Sequence, residues 1–129
     1  MGELAIETVE GRTAFEPGEA VELIVGWSLE HEPEAVEVRL AWTTRGKGTE
    51  DMAVVWRERF ERPQAIDGRR LAVELPSAPY SFSGKLVSLV WFFEIVVFPS
   101  KEARQLDIAI GPGAREVLLH KAPSGGAPA

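Results

Sequence analysis

Apolar and polar residues alternate along most of this chain, a period of two that predicts β-strands. In residues 21–29 the odd positions carry Val21, Leu23, Val25, Trp27 and Leu29, while Glu22, Gly26 and Ser28 fall between them. Successive side chains of a strand point to opposite sides, so the odd set shares one face. Residues 36–42 repeat the pattern with Val36, Val38, Leu40 and Trp42 against Glu37 and Arg39. In residues 52–60 the apolar set is Met52, Val54, Trp56 and Phe60, and Glu58 breaks its phase. The sheet is therefore expected to end, twist or bulge at Glu58. Residues 69–75 set Leu71, Val73 and Leu75 against Arg70, Ala72 and Glu74. Further strands are predicted over residues 4–9 and 106–110, with a short last one over 117–119.

Turn chemistry separates these runs. Glu16-Pro17-Gly18-Glu19 fits a type II turn, because Pro17 presets its own φ and Gly18 accepts the positive φ that follows. Asp67-Gly68 reads as a hairpin turn. Residues 31–34, with Pro33, divide the second strand from the third, and Gly46 and Gly48 make residues 44–50 a hairpin tip. No segment shows a 3.6-residue apolar stripe. About seven short strands at this spacing predict an all-β fold of antiparallel sheets, a sandwich or a barrel. Residues 1–122 are expected to form it as one domain. The Pro/Gly/Ala-rich residues 123–129 are expected to be a disordered tail.

Composition narrows the function. The chain has 129 residues, enough for one domain and little more. It has no cysteine, which excludes disulfides and Cys-ligated zinc. The net charge of −6 disfavours nucleic acid, where neutralised phosphates drive affinity. The first residues lack the basic and apolar regions of a signal peptide. The apolar run 86–98 contains Ser88 and Glu94 and is too short to span a membrane as a helix. A cytoplasmic protein is the expectation.

Three blocks in fixed order carry a family resemblance. The first is Phe15-Glu16-Pro17-Gly18-Glu19, which leads directly into the strand 21–29. The second is Leu75-Pro76, closing a strand. The third is Pro79-Tyr80-Ser81-Phe82-Ser83-Gly84, followed by the long strand 85–98. Together they span about residues 4–110 and resemble the arrestin-like family. The resemblance implies an immunoglobulin-like antiparallel β-sandwich and a noncatalytic adaptor or scaffold role. The family includes arrestins, an arrestin-shaped retromer subunit and a bacterial sporulation-control protein. Those relatives usually carry two sandwiches in tandem, whereas this chain has one. It also lacks a Pro-Pro-x-Tyr motif, and the charged polar core of visual arrestins has no match in it.

No residues assemble into a catalytic set, and no cofactor or metal is expected. The histidines are His31 and His120. His31 stands in Glu30-His31-Glu32-Pro33-Glu34, where neighbouring side chains diverge and a solvated turn is favoured over a metal site. His120 adjoins the tail and is expected to be exposed. Arg45-Gly46-Lys47-Gly48-Thr49 lacks the order of a phosphate-binding loop, since Gly48 follows Lys47 and Trp42 stands where the first glycine belongs. Trp27, Trp42, Trp56 and Trp91 all fall in the apolar phase of their strands. This places them in the core and counts against a carbohydrate- or lipid-binding sandwich, the alternative function.

Two surfaces remain. The odd face of strand 86–98 is wholly apolar and is assigned to the core. Its even face carries Val90, Phe92, Val96 and Phe98, which need a cover. Either residues 117–119 or a second subunit would supply it, with self-association preferred. The other candidate is a basic patch of Arg39, Arg57, Arg59 and Arg70, which share the polar phase of neighbouring strands. If those strands pair, the patch would attract an acidic partner protein, with a solvated face of mixed charge as the competing reading.

Overall fold

A computed structural model describes residues 2–118 apart from 47, 49 and 85. The described residues form ten strands and no helix: β1 (Glu3–Thr8), β2 (Ala14–Phe15), β3 (Ala20–Ser28), β4 (Ala35–Gly46), β5 (Met52–Glu61), β6 (Ile66–Glu74), β7 (Phe82–Ser83), β8 (Val87–Phe98), β9 (Ala103–Ile110) and β10 (Val117–Leu118). Among these residues no helix is therefore long and apolar enough to cross a membrane. Residues 119–129, with His120, Leu119 and the predicted tail, lie outside the described residues.

The smaller sheet has the order β1-β3-β6, antiparallel throughout. In the larger sheet β5, β4 and β8 lie side by side, also antiparallel. The far edge of β8 is shared. β7 pairs with Ser88 and Leu89, and β9 pairs with residues 91–96. Two short parallel pairings, β10 on β7 and β2 on β9, extend this sheet.

The alternation of apolar residues becomes the layer between the sheets. Val21, Leu23, Val25 and Trp27 of β3 face Val36, Val38 and Leu40 of β4 and Leu89, Trp91, Phe93, Ile95 and Val97 of β8. Trp42 and Trp56 are half-buried against the same cluster. The two deepest indoles meet their polar needs locally: Trp27 Nε1 donates to Gln64 O at 2.8 Å, and Trp91 Nε1 to Pro79 O at 2.9 Å. Such pairing is what permits an N–H to be buried.

Local chemistry places the turns. Gly18 has φ +78°, as a type II turn requires, and Glu19 N donates to Glu16 O at 3.2 Å. β4 runs four residues past the predicted end because β8 is equally long, with Gly46 opposite Val87. A Cβ at Gly46 would stand 2.0 Å from Leu86 O, so only glycine fits there.

Two expectations are corrected. Asp67 and Gly68 form no hairpin; they lie inside β6, opposite Trp27 and Gly26. The chain turns earlier, over residues 62–65, with Arg62 at φ +48°, and crosses there from the larger sheet to the smaller. Nor is β5 interrupted at Glu58, which pairs with Val38 in regular register. The irregularity falls at Val55, between the pairs Leu40–Trp56 and Ala41–Val54. This bulge reverses the phase, so Met52 and Val54 share their side with Ala41 and Thr43, away from the core.

Candidate functional site

The outer face of β4, β5 and β8 gathers most of the residues singled out from the sequence. Its rows follow from register. Arg59, Glu37 and Val96 stand side by side; the next rows are Arg57, Arg39 and Glu94, then Val54, Ala41 and Phe92, then Met52, Thr43 and Val90. One half of the face is charged and the other apolar.

Glu37 is the centre of the charged half. It is only 4 % exposed although it points away from the core. Arg39 Nε donates to its Oε2 at 2.6 Å, and Arg59 to Oε1 at 3.4 Å. Arg57 approaches to 3.7 Å. Burial alone would raise the Glu37 pKa. The hydrogen bond and charge of Arg39, the hydrogen bond of Arg59 and the charge of Arg57 outweigh it and hold the carboxyl below its ordinary value. Arg39 also reaches Glu94 at 3.6 Å, and Arg59 Nε donates to Glu61 at 2.6 Å. Three arginines thus meet three carboxylates. The Arg59 and Arg39 guanidinium carbons lie 4.9 and 5.9 Å from the centre of the Phe98 ring, so that ring is a platform for both cations.

The structure brings Arg39, Arg57 and Arg59 together but places Arg70 elsewhere. β6 pairs with β3 and not with β5, so Arg70 stands on the other sheet, where its Nε donates to Glu22 at 3.1 Å. Val90, Phe92, Val96 and Phe98 all lie on the outer face of β8. Phe92 is only 3 % exposed and Val96 is buried, while Val90 and Phe98 are half-buried. Val117 and Leu118 continue the sheet edge beside β7 instead of crossing this face. The exposed apolar contribution comes from β5, where Met52 is 60 % exposed. Simple alternation assigned Met52 to the core; the bulge that turns it outward leaves no mark in the spacing. His31 is exposed on the connection between β3 and β4, and no group of three potential metal ligands occurs among the described residues.

Comparison with solved structures places this geometry. The Spo0M sporulation control protein of Bacillus subtilis superposes with a TM-score of 0.60 at 14 % identity, over 86 % of this chain and 49 % of that one. The chain therefore shares the all-β sandwich fold of Spo0M. It spans about half the length of Spo0M. A CARDB domain of the Pyrococcus furiosus PF1109 protein, in complex with di-metal ions, matches with a TM-score of 0.48 at 10 % identity over 85 % of this chain and 94 % of that one. A Listeria innocua β-glucosidase matches with a TM-score of 0.47 at 17 % identity over 86 % of this chain and 16 % of the enzyme. No family model matches the sequence, and no curated protein is detectably similar to it in sequence.

Proposed function

We propose that this chain is a noncatalytic protein-interaction module, an adaptor or scaffold of the arrestin-like kind, that associates with a second copy of itself through the outer face of β4, β5 and β8. The observation that carries the reading is the composition of that face. Arginine, methionine and aromatic residues are enriched where proteins meet, and this face combines Arg57, Arg59, Met52 and Phe98. It also holds both signs of charge side by side. A two-fold interface brings one patch against itself, so it needs a patch complementary to its own copy. The balanced pairing of arginines with Glu37, Glu61 and Glu94 meets that need, which a purely basic patch would not.

Light scattering of the whole chain across a range of concentrations tests this. The expected mass is twice that of the chain. Met52→Glu and Arg57→Glu alter exposed side chains on β5 and are expected to return the mass to that of a monomer while the circular dichroism spectrum stays β-rich. A wild-type protein that remains monomeric throughout the range overturns the reading.

A further inference from the structure

Among the described residues the smaller sheet ends at β1, which pairs with β3 and has no partner strand on its other side. Val9 N donates to Glu22 O at 3.0 Å, which fixes the phase of the ladder. In an antiparallel pair, alternate residues turn their N–H and C=O toward the partner strand. Glu3, Ala5 and Glu7 therefore bond to β3, and the backbone groups of Leu4, Ile6 and Thr8 face the free side. Thr8 O accepts from Gly11 N at 3.0 Å, which leaves Leu4 and Ile6 as the open pair. They border a groove of about 930 Å³ between β1 and the start of β9, whose other wall is formed by residues 102–104.

Charge decides what fits this groove. Its walls carry Glu3, Glu7 and Glu102 against Arg104. A second copy of β1 is a poor occupant in the register that pairs Leu4 with Ile6, because pairing centred on Ala5 sets Glu3 against Glu7, and directly opposed like charges destabilise a sheet. A cationic strand reverses that sign. We propose that β1 takes up an extended segment of a partner protein as an added strand, with lysine or arginine beside Glu3 and Glu7 and apolar residues between. The intervening side chains turn inward onto Leu4 and Ile6, which point toward the sandwich interior. Main-chain bonds supply affinity, and the alternating side chains supply selection.

The test uses the full chain and two capped peptides, one alternating lysine and valine, the other glutamate and valine. Fluorescence anisotropy is expected to show saturable binding of the lysine peptide alone, weakened by salt. The amide protons of Leu4 and Ile6 are expected to become protected from exchange when it binds. The Glu3→Lys/Glu7→Lys variant is expected to weaken the lysine peptide by about tenfold or more and to admit the glutamate peptide. Leu4→Pro removes one outward N–H without touching the bonds to β3 and is expected to weaken binding separately. Absence of saturable binding, equal binding of both peptides, or unchanged exchange at Leu4 and Ile6 overturns the proposal. The self-association reading rests on another face and survives any of these results.

Discussion

The Arg69 guanidinium carbon stands 5.0 Å from the centre of the Phe60 ring, joining β6 of the smaller sheet to β5 of the larger. It also lies 5.7 Å from the Trp27 ring, and the two aromatic centroids are 6.2 Å apart. Asp67, two residues before Arg69 on β6, pairs with the guanidinium and holds it over the rings. Arg69 thereby closes one open side of the sandwich with its planar head. Arg69→Ala is expected to cost about 1 kcal/mol from the ring contacts, with Arg69→Lys between it and the wild type because the ammonium cannot stack. Urea midpoints for the three proteins check the order; equal midpoints would show that this side needs no closing.

Glu37 gives a second prediction, with a definite sign. Its pKa lies below the ordinary value, so its ionised form is favoured by folding. The stabilisation is complete above the usual carboxylate range, about pH 4.3, and is lost as pH falls through the lower folded-state value. Glu37→Gln leaves three arginines around a neutral amide and is expected to cost about 1.5–3 kcal/mol at neutral pH, the range for hydrogen bonds to a charged group. The difference from wild type is expected to hold down to about pH 5 and to shrink on further acidification. Denaturation at a series of pH values measures it, and a difference that grows in acid would contradict the assignment.

The bulge at Val55 is tested by contrast between a core residue and Met52. Leu40 is fully buried, whereas Met52 is exposed. Leu40→Ala is expected to cost about 3 kcal/mol, as core truncations do. Met52→Ala is expected to stay within about 0.5 kcal/mol, as surface changes do. Comparable losses at both positions would place Met52 in the core and remove the register shift.

Acrylamide quenching separates the tryptophans. Trp27 and Trp91 are buried, while Trp42 and Trp56 are half-buried. A Trp42→Phe/Trp56→Phe protein is expected to resist quenching, and a Trp27→Phe/Trp91→Phe protein to respond more strongly. Solvent-like quenching of the first protein would show an indole on the surface and revive a carbohydrate platform.

Much of the sandwich was legible in the sequence because burial on one side of a strand imposes a period of two. Val21 to Trp27 carry that period without interruption, and β3 lies where it predicts; Leu89 to Val97 is an apolar run broken only by Glu94, and its length announces β8. Pro17-Gly18 was legible because its backbone demand is local. Asp67-Gly68 misled for the same reason: the pair suits a tight turn, but pairing with Gly26 and Trp27 holds it extended. Strand partners are set by distant residues, so nothing near Arg70 announces that β6 belongs to the other sheet. The central place of Glu37 was equally hidden, because it depends on which strands flank β4.

The bulge has a wider consequence. One additional residue, with no change in polarity, decides whether a methionine is interior filling or exterior surface. Whether the strand absorbs that residue as a bulge therefore selects the sandwich's outward character. Straightened with the residue retained, β5 would carry Met52 and Val54 to the interior; with the residue deleted, both would stay opposite Thr43 and Ala41 and remain outside.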